Sequence, residues 1–254
     1  MTLFSLLSPV ELVLAFAIAV LAGLVKGMVG FAMPTIFISG LSTVLPPDLA
    51  LAGLIFPTLI TNGIQALRQG TAAAMASIRR FRVFLLVGFV CLLIGAQLVA
   101  RVEVSTFLFL IGAPMAVFAI IQLVGIRLPL SGGSKRVEAG AGALAGFVGG
   151  MSGVWGPPTV AYLTALETPK QDQIRIQGVI YGLGAVALVA AHLSSGVLRA
   201  ETVPFSVLLI GPALLGMWVG LKLQDRIDQA TFRKVTLIVL LVAALNLLRR
   251  SLLG

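Results

Sequence analysis

The 254-residue sequence contains little charge, one cysteine (Cys91) and one histidine (His192). Only 11% of its residues are charged, whereas an ordinary soluble domain has about 25% charged residues. One cysteine cannot form a disulfide or a multi-cysteine metal site within a single chain. All nine acidic residues lie near the predicted ends of apolar segments. None supplies the buried carboxylate that a cation transporter or a proton relay usually needs, so an anionic substrate is favoured.

Apolar residues dominate the composition. They make up 59% of the chain, and the mean hydropathy is +1.09. The net charge is +9, and the basic residues stand in short clusters between apolar runs. This distribution is typical of cytoplasmic loops in membrane proteins rather than of a nucleic-acid surface. The first cation is Lys26, so we expect the N-terminus to belong to the mature protein rather than to a signal peptide.

Three ordered matches between the halves indicate an internal duplication. Residues 23–34 match residues 146–157 at an offset of 123, with the shared pattern G-x-V-x-G-M-x-G-x-x-x-P. Residues 95–102 match 220–227, and 106–107 match 231–232, both at an offset of 125. The sequence therefore predicts a first transmembrane repeat over 1–130 and a second over 131–254, joined by a linker near 127–138.

Each repeat is predicted to be all-helical, with one broken segment followed by three spans. Glycine weakens a helix and proline removes a backbone donor, so the glycine-proline runs predict a break. The second broken segment has only about 16 and 10 apolar or small residues on its two sides, whereas a crossing helix needs about 20. The broken segments are predicted over 9–45 and 136–166, and the spans over 48–67, 81–100, 104–126, 172–194, 203–223 and 231–248.

Two topologies are compatible with this pattern. If both broken segments are re-entrant hairpins, six spans remain and the second repeat is inverted, with 13 Lys and Arg inside and four outside. If both segments cross, there are eight plain spans, with ten inside and seven outside. The positive-inside rule favours the inverted repeat.

The breaks predict an anion site. Pro34 and Pro157 would each open a half-helix whose N-terminus carries a partial positive charge at membrane depth. Lys26, one residue before the first break, either adds charge to the site or extends to the membrane surface. Polar residues on the following helices are candidates for substrate contact or for interhelical hydrogen bonds. The predicted substrate-binding residues are Lys26, Gly27, Gly30, Pro34, Thr35, Asn62, Gln65, Gly150, Ser152, Gly153, Trp155, Gly156, Pro157, Gln177 and Tyr181.

The run GFVGGMSGVWGPPTVAYL at residues 146–163 closely resembles the second glycine-proline motif of the sulfite exporter TauE/SafE family, also called the toluene sulfonate uptake permease family. Residues 23–34 resemble the partner motif less closely, and residues 220–227 are also similar to the family pattern. The resemblance implies an integral protein of the bacterial inner membrane that moves sulfite, sulfonates, sulfoacetate or related small anions.

The leading hypothesis is therefore a secondary transporter for a small sulfur-containing oxyanion, working by alternating access. An anion channel, or a permease for another small anion, is the alternative. We expect no enzymatic activity, because the sequence shows no paired carboxylates, no metal-ligand set and no nucleophile beside a base. We also expect no cofactor and no nucleic-acid partner. The expected partners are a small anionic substrate and the lipid bilayer, with a homodimer left open.

Overall fold

All regular secondary structure in the described part of the chain is helical. The computed structural model describes residues 7–98, 104–126, 130, 134–152, 155–194 and 197–253. The helices in these ranges are α1 (Pro9–Val29), α2 (Met33–Leu41), α3 (Pro47–Leu67), α4 (Thr71–Arg80), α5 (Arg82–Leu98), α6 (Val104–Leu123), α7 (Lys135–Ser152), α8 (Gly156–Ala165), α9 (Lys170–Ser194), α10 (Val203–Leu208), α11 (Ile210–Arg226) and α12 (Gln229–Leu253).

Five helical segments are long and apolar enough to cross a membrane: Pro9–Val29, Asp48–Leu67, Lys170–Ala190, Val203–Arg226 and Gln229–Leu252. Two shorter apolar stretches, Arg82–Gly95 and Leu108–Leu123, accompany them. The prediction of an all-α, multi-pass membrane protein is confirmed.

Helix boundaries differ from the sequence-based expectation in two places. A short helix, α4, occupies the loop expected between 68 and 82. The span expected over 203–223 is divided at Leu209 into α10 and α11. Pro212 accounts for this division, because a helical proline lacks the amide donor and conflicts with the carbonyl four residues earlier. Residues 99–100 of the expected span 81–100, and 127–129 and 131–133 of the expected linker, lie outside the described residues.

The first broken segment consists of two helices that fold back on each other. α1 ends at Gly30, which adopts a left-handed conformation with φ 90°, and α2 begins after Ala32, also left-handed at φ 72°. Pro34 lies in the first turn of α2. Gly40 in α2 lies against Ile18 in α1, so α2 returns along the helix that precedes it.

The helices form two compact units that each combine segments from both sequence halves. The first unit contains residues 1–74 and 174–227, and the second contains 75–173 and 228–254. The chain passes between units within α4, within α9 and after α11.

In the first unit, α1 and α11 run parallel and approach closely through glycines. Gly23 lies against Ala213 and Met217, and Gly27 lies against Gly220. Small residues allow this close approach of membrane helices. α3 runs parallel to α10 and α11, because Phe56 N donates to Ser206 Oγ at 3.2 Å and Arg68 pairs with Asp225 at 2.6 Å.

α9 runs antiparallel to α3 in the same unit. Gly178 lies against Gln65 and Ala66, and Gly182, one turn later in α9, lies against Asn62, one turn earlier in α3.

In the second unit, α5 and α7 also run parallel through a glycine contact. Gly142 lies against Phe84, and Gly146 lies against Gly88. α6 and α12 run antiparallel, because Ser251 Oγ donates to the carbonyl oxygen of Ser105 at 2.7 Å while Gly112 lies against Ala244.

Candidate functional site

Lys26 is a fully buried cation at the end of α1. Its side chain is 1% exposed, and Nζ donates a hydrogen bond to Oδ1 of Asn62 on α3. Among the residues that the structure describes, no carboxylate lies within ion-pair distance of Nζ. Of the two alternatives for this residue, extension to the surface does not fit this buried position.

Thr58, Asn62 and Gln65 are buried polar side chains on one face of α3, the helix that contacts Lys26. Spacings of four and three residues place them on the same helix face. Gln65 Nε2 donates to the backbone carbonyl of Lys26 at 3.1 Å. One polar atom on each residue then has no hydrogen-bond partner: Thr58 Oγ1, Asn62 Nδ2 and Gln65 Oε1.

The neighbouring groups account for both amide orientations. Lys26 Nζ donates to Asn62 Oδ1, and this orientation leaves Asn62 Nδ2 free. A carbonyl can only accept, so Gln65 must present Nε2 and leave Oε1 free. Buried polar groups are normally paired, so three unpaired groups on the helix face that contacts Lys26 are an unsatisfied cluster.

Gln177 of α9 lies against the break between α1 and α2. In the amide orientation that matches donors to acceptors, Nε2 donates to the carbonyl oxygens of Val29 at 3.0 Å and Gly30 at 3.2 Å. A side chain at position 30 would collide with this amide. Gln177 therefore satisfies carbonyl groups that the end of α1 leaves without helical partners.

The half-helix that follows the break begins without a side-chain cap. α2 has neither a capping hydrogen bond nor an acidic residue in its first turn. Thr35 is half-buried in that turn. The start of α2 therefore retains the partial positive charge of a helix N-terminus.

The second break lies between Ser152 and Gly156, in the other unit. Trp155 is the N-terminal cap residue of α8, and its ring packs on Gly149. Pro157 is buried in the first turn of α8. Gly150 lies within the last turn of α7. Gly153 and the side chain of Ser152 lie outside the described residues.

The structure thus brings together Lys26, Asn62, Gln65, Gly30 and Gln177 in the first unit. Gly27 contacts α11 through Gly220 instead, which gives it a packing role. Tyr181, one turn after Gln177, is buried. Thr58 was not predicted from the sequence. Its position four residues before Asn62 is the signal that could have identified it.

The arrangement suits an anion. A charged side chain in the interior of a membrane protein is costly, and a bound negative charge would offset that cost. Lys26 Nζ, Asn62 Nδ2 and Thr58 Oγ1 can all donate to acceptor oxygens.

Apolar helices with the length of membrane spans, together with this internal cation, define a multi-pass helical membrane protein. The sequence profile of the sulfite exporter TauE/SafE family matches residues 15–247. The chain belongs to that family of membrane transporters. No curated protein and no solved structure matches the chain at a significant level.

Proposed function

We propose that this protein is a secondary transporter that moves a small sulfur-containing oxyanion of the sulfite, sulfonate or sulfoacetate type across the bacterial inner membrane. The observation that carries the proposal is Lys26, a buried cation with no carboxylate partner among the described residues. In this proposal the substrate supplies the missing negative charge. Membership of the sulfite exporter family supports the sulfur-containing class of anion.

The substrate would take its hydrogen bonds from the unsatisfied cluster. Lys26 Nζ provides charge, and Asn62 Nδ2 and Thr58 Oγ1 provide further donors. The uncapped start of α2 adds a favourable potential. The half-helix at α8 offers a second N-terminus in the other unit, and its part in binding stays a prediction.

We further propose the inverted-repeat topology, with six spans and two re-entrant hairpins. Several helix directions support it. α6 and α12, the last spans of the two repeats, are antiparallel to each other. α3 and α9, the first spans after the two breaks, are also antiparallel. Eight plain spans would orient both repeats alike and make each of these pairs parallel. The return of α2 along α1 supports a hairpin in the first repeat.

In this topology the transport cycle would be alternating access, as in transporters built from inverted repeats. Glycine-proline breaks at membrane depth are tolerated where their backbone groups meet a ligand or a cavity.

The test is flux in proteoliposomes. We expect saturable uptake of sulfite or a small sulfonate by the wild-type protein, and at least about tenfold weaker substrate affinity for Lys26→Met, because a charged hydrogen bond is lost. Lys135→Met is the matched control, because Lys135 is exposed at the start of α7. Its flux should equal that of the wild type.

Two results would contradict the proposal. Unchanged affinity in Lys26→Met would remove Lys26 from the binding site. Unitary currents far above carrier turnover would replace the transporter with the channel alternative.

A further inference from the structure

Two charged residues are buried in the described part of the chain, and they differ in what holds them. Lys26 is 1% exposed, and Glu138, in the first turn of α7, is 4% exposed. Glu138 Oε1 accepts from the backbone N of Phe84 at 3.2 Å, and Oε2 pairs with Arg80 at 3.4 Å. Lys26 Nζ bonds only to Asn62, which carries a neutral amide. No neighbouring charge among the described residues therefore fixes the protonation state of Lys26.

The helices packed on α1 bring no carboxylate within ion-pair distance of Lys26 in the ranges that the structure describes. α2 has no titratable side chain. Asp48, at the start of α3, pairs with Arg199. Asp225, at the end of α11, pairs with Arg68. The other titratable or charged side chains on α1 and on the helices around it are Glu11, Asp172, Arg175, Tyr181, His192, Lys222 and Arg226.

The amide of Asn62 can serve Lys26 in either protonation state. An ammonium has three N–H donors and no acceptor, whereas an amine also has a lone pair that accepts. Nζ donates to Oδ1, and Nδ2 is left without a partner. Rotation of the amide would present Nδ2 to the lone pair of an amine. A carboxylate in the place of this amide would stabilise the ammonium alone.

Burial without an opposite charge disfavours an ion much more than the corresponding neutral group. An anion that enters the site supplies the opposite charge that Lys26 lacks. Because binding equilibria are reciprocal, an anion that binds better to the ammonium also promotes proton binding at the amine. The site of the proposed function therefore has two ligands that assist each other, the anion and a proton.

Resting on the proposed function, we infer that Lys26 carries the coupling proton, so that the protein is a proton–anion symporter. The empty site holds the neutral amine, and each anion binds together with one proton at Nζ. The second transported species is thus a proton, which Lys26 carries without any carboxylate.

The step balances in atoms and in charge. On binding, the lone pair of Nζ forms an N–H bond with a proton from the aqueous side that delivers the anion. On release, the anion leaves, that N–H bond breaks, and the proton passes to the aqueous side that receives the anion. For a singly charged sulfonate, one cycle moves one proton and one anion in the same direction and transfers no net charge.

The first experiment counts protons in a binding measurement on the full chain in detergent. Methanesulfonate is titrated by calorimetry in phosphate and in Tris, whose ionisation enthalpies differ, over a series of pH values. Methanesulfonate keeps one negative charge throughout. We expect proton uptake that approaches one per anion as pH rises, with an affinity that falls by up to about tenfold per pH unit in the same range.

Lys26→Arg is the diagnostic variant. A guanidinium keeps its charge at every pH used, so the variant should bind methanesulfonate with no proton uptake. Lys26→Met gives the same test if the arginine variant does not fold, because its weaker binding should also take up no proton. Lys135→Arg is the matched control at an exposed lysine and should behave as the wild type. Glu138→Gln should also leave the proton count unchanged.

The second experiment measures transport in proteoliposomes that contain a pH-sensitive dye. An inward gradient of methanesulfonate should acidify the lumen, and an imposed potassium–valinomycin potential should leave the rate unchanged. In Lys26→Arg the flux should carry no protons and should respond to the potential.

The possible failures are distinguishable. Methanesulfonate flux that depends on Lys26 but moves no proton at any pH would overturn this inference and leave the proposed function in place. Proton uptake that persists in folded Lys26→Arg or Lys26→Met would assign the proton to another group and would also overturn it. Absence of anion flux from the wild-type protein would overturn the proposed function and this inference together.

Discussion

At the scale of single residues, Gln65 differs from the other members of the cluster formed by Lys26, Thr58, Asn62 and Gln65, here called the Lys26 cluster. Lys26, Asn62 and Thr58 can donate hydrogen bonds, but the free atom of Gln65 can only accept. A fully deprotonated oxyanion cannot satisfy that acceptor. An anion that also carries one O–H or N–H can satisfy it, and a single negative charge matches the single charge of Lys26.

We therefore predict that hydroxymethanesulfonate binds more tightly than methanesulfonate, by about fivefold for one added hydrogen bond. In Gln65→Leu the two affinities should become equal, because the acceptor is gone. Competition against sulfite flux in proteoliposomes measures both ratios. A preference for the hydroxyl compound that persists in Gln65→Leu would assign the acceptor to another group.

Local signals allowed the cluster to be predicted only in part. Lys26 was recognised because a charge inside an apolar run is costly, and Asn62 and Gln65 because their spacing places them on one helix face. Thr58 was missed because a threonine hydroxyl usually bonds to its own helix backbone, as Thr61 does to Pro57 at 2.6 Å. Nothing local indicates that Gln177 reaches Val29 and Gly30, which lie almost 150 residues earlier in the chain.

At the scale of helices, the contacts between α1 and α11 depend on residues without a Cβ atom. A Cβ on Gly216 would lie within 3.0 Å of the backbone of Val20 and Leu24, closer than Cβ atoms approach in proteins. Gly211, in the same helix, has nothing within 4 Å of its Cβ position. These two glycines form a matched pair for a stability test.

We predict that Gly216→Ala lowers the free energy of unfolding by about 1–3 kcal/mol, because backbone atoms cannot move aside as a side chain can. Gly211→Ala should leave stability unchanged or raise it by up to about 1 kcal/mol, since alanine favours the helix. Thermal unfolding in detergent measures the difference. Equal melting temperatures for the two variants would contradict the close packing of α1 on α11.

Some helix boundaries could be predicted from nearby residues, and others could not. The two breaks were predictable because glycine and proline act on their own turn. The division at Leu209 also has a local cause, Pro212, although one continuous span was predicted there. By contrast, α4 could not be predicted in this way. Its alanines and arginines are as typical of a basic connecting loop as of a helix.

At the scale of the whole molecule, the inverted-repeat proposal places the C-terminus outside the cytoplasm. Single cysteines test this in a Cys91→Ala background. Leu252→Cys, an exposed position near the C-terminus, should react with a membrane-impermeant maleimide in intact cells. Ala72→Cys, exposed in the basic loop at α4, should react only after permeabilisation. A cytoplasmic position 252 would eliminate the inverted topology and leave eight plain spans.

The sequence indicated how the chain is duplicated but not how its helices combine. The duplication is visible when two stretches of the sequence are compared, whereas the compact units depend on which distant helices pack together. The glycines at 23, 27, 216 and 220 signal close packing, but a glycine stripe does not name its partner helix.

The parallel pairing of α1 with α11 has a consequence for biosynthesis. About 180 residues separate the two helices, and at about 5–20 residues per second the ribosome needs roughly 10–40 s to make them. During that interval α1 lies in the bilayer with its glycine face covered only by lipid. Insertion and assembly are thus separate events for this helix, and a chain truncated before α11 leaves the glycine face of α1 without its partner helix.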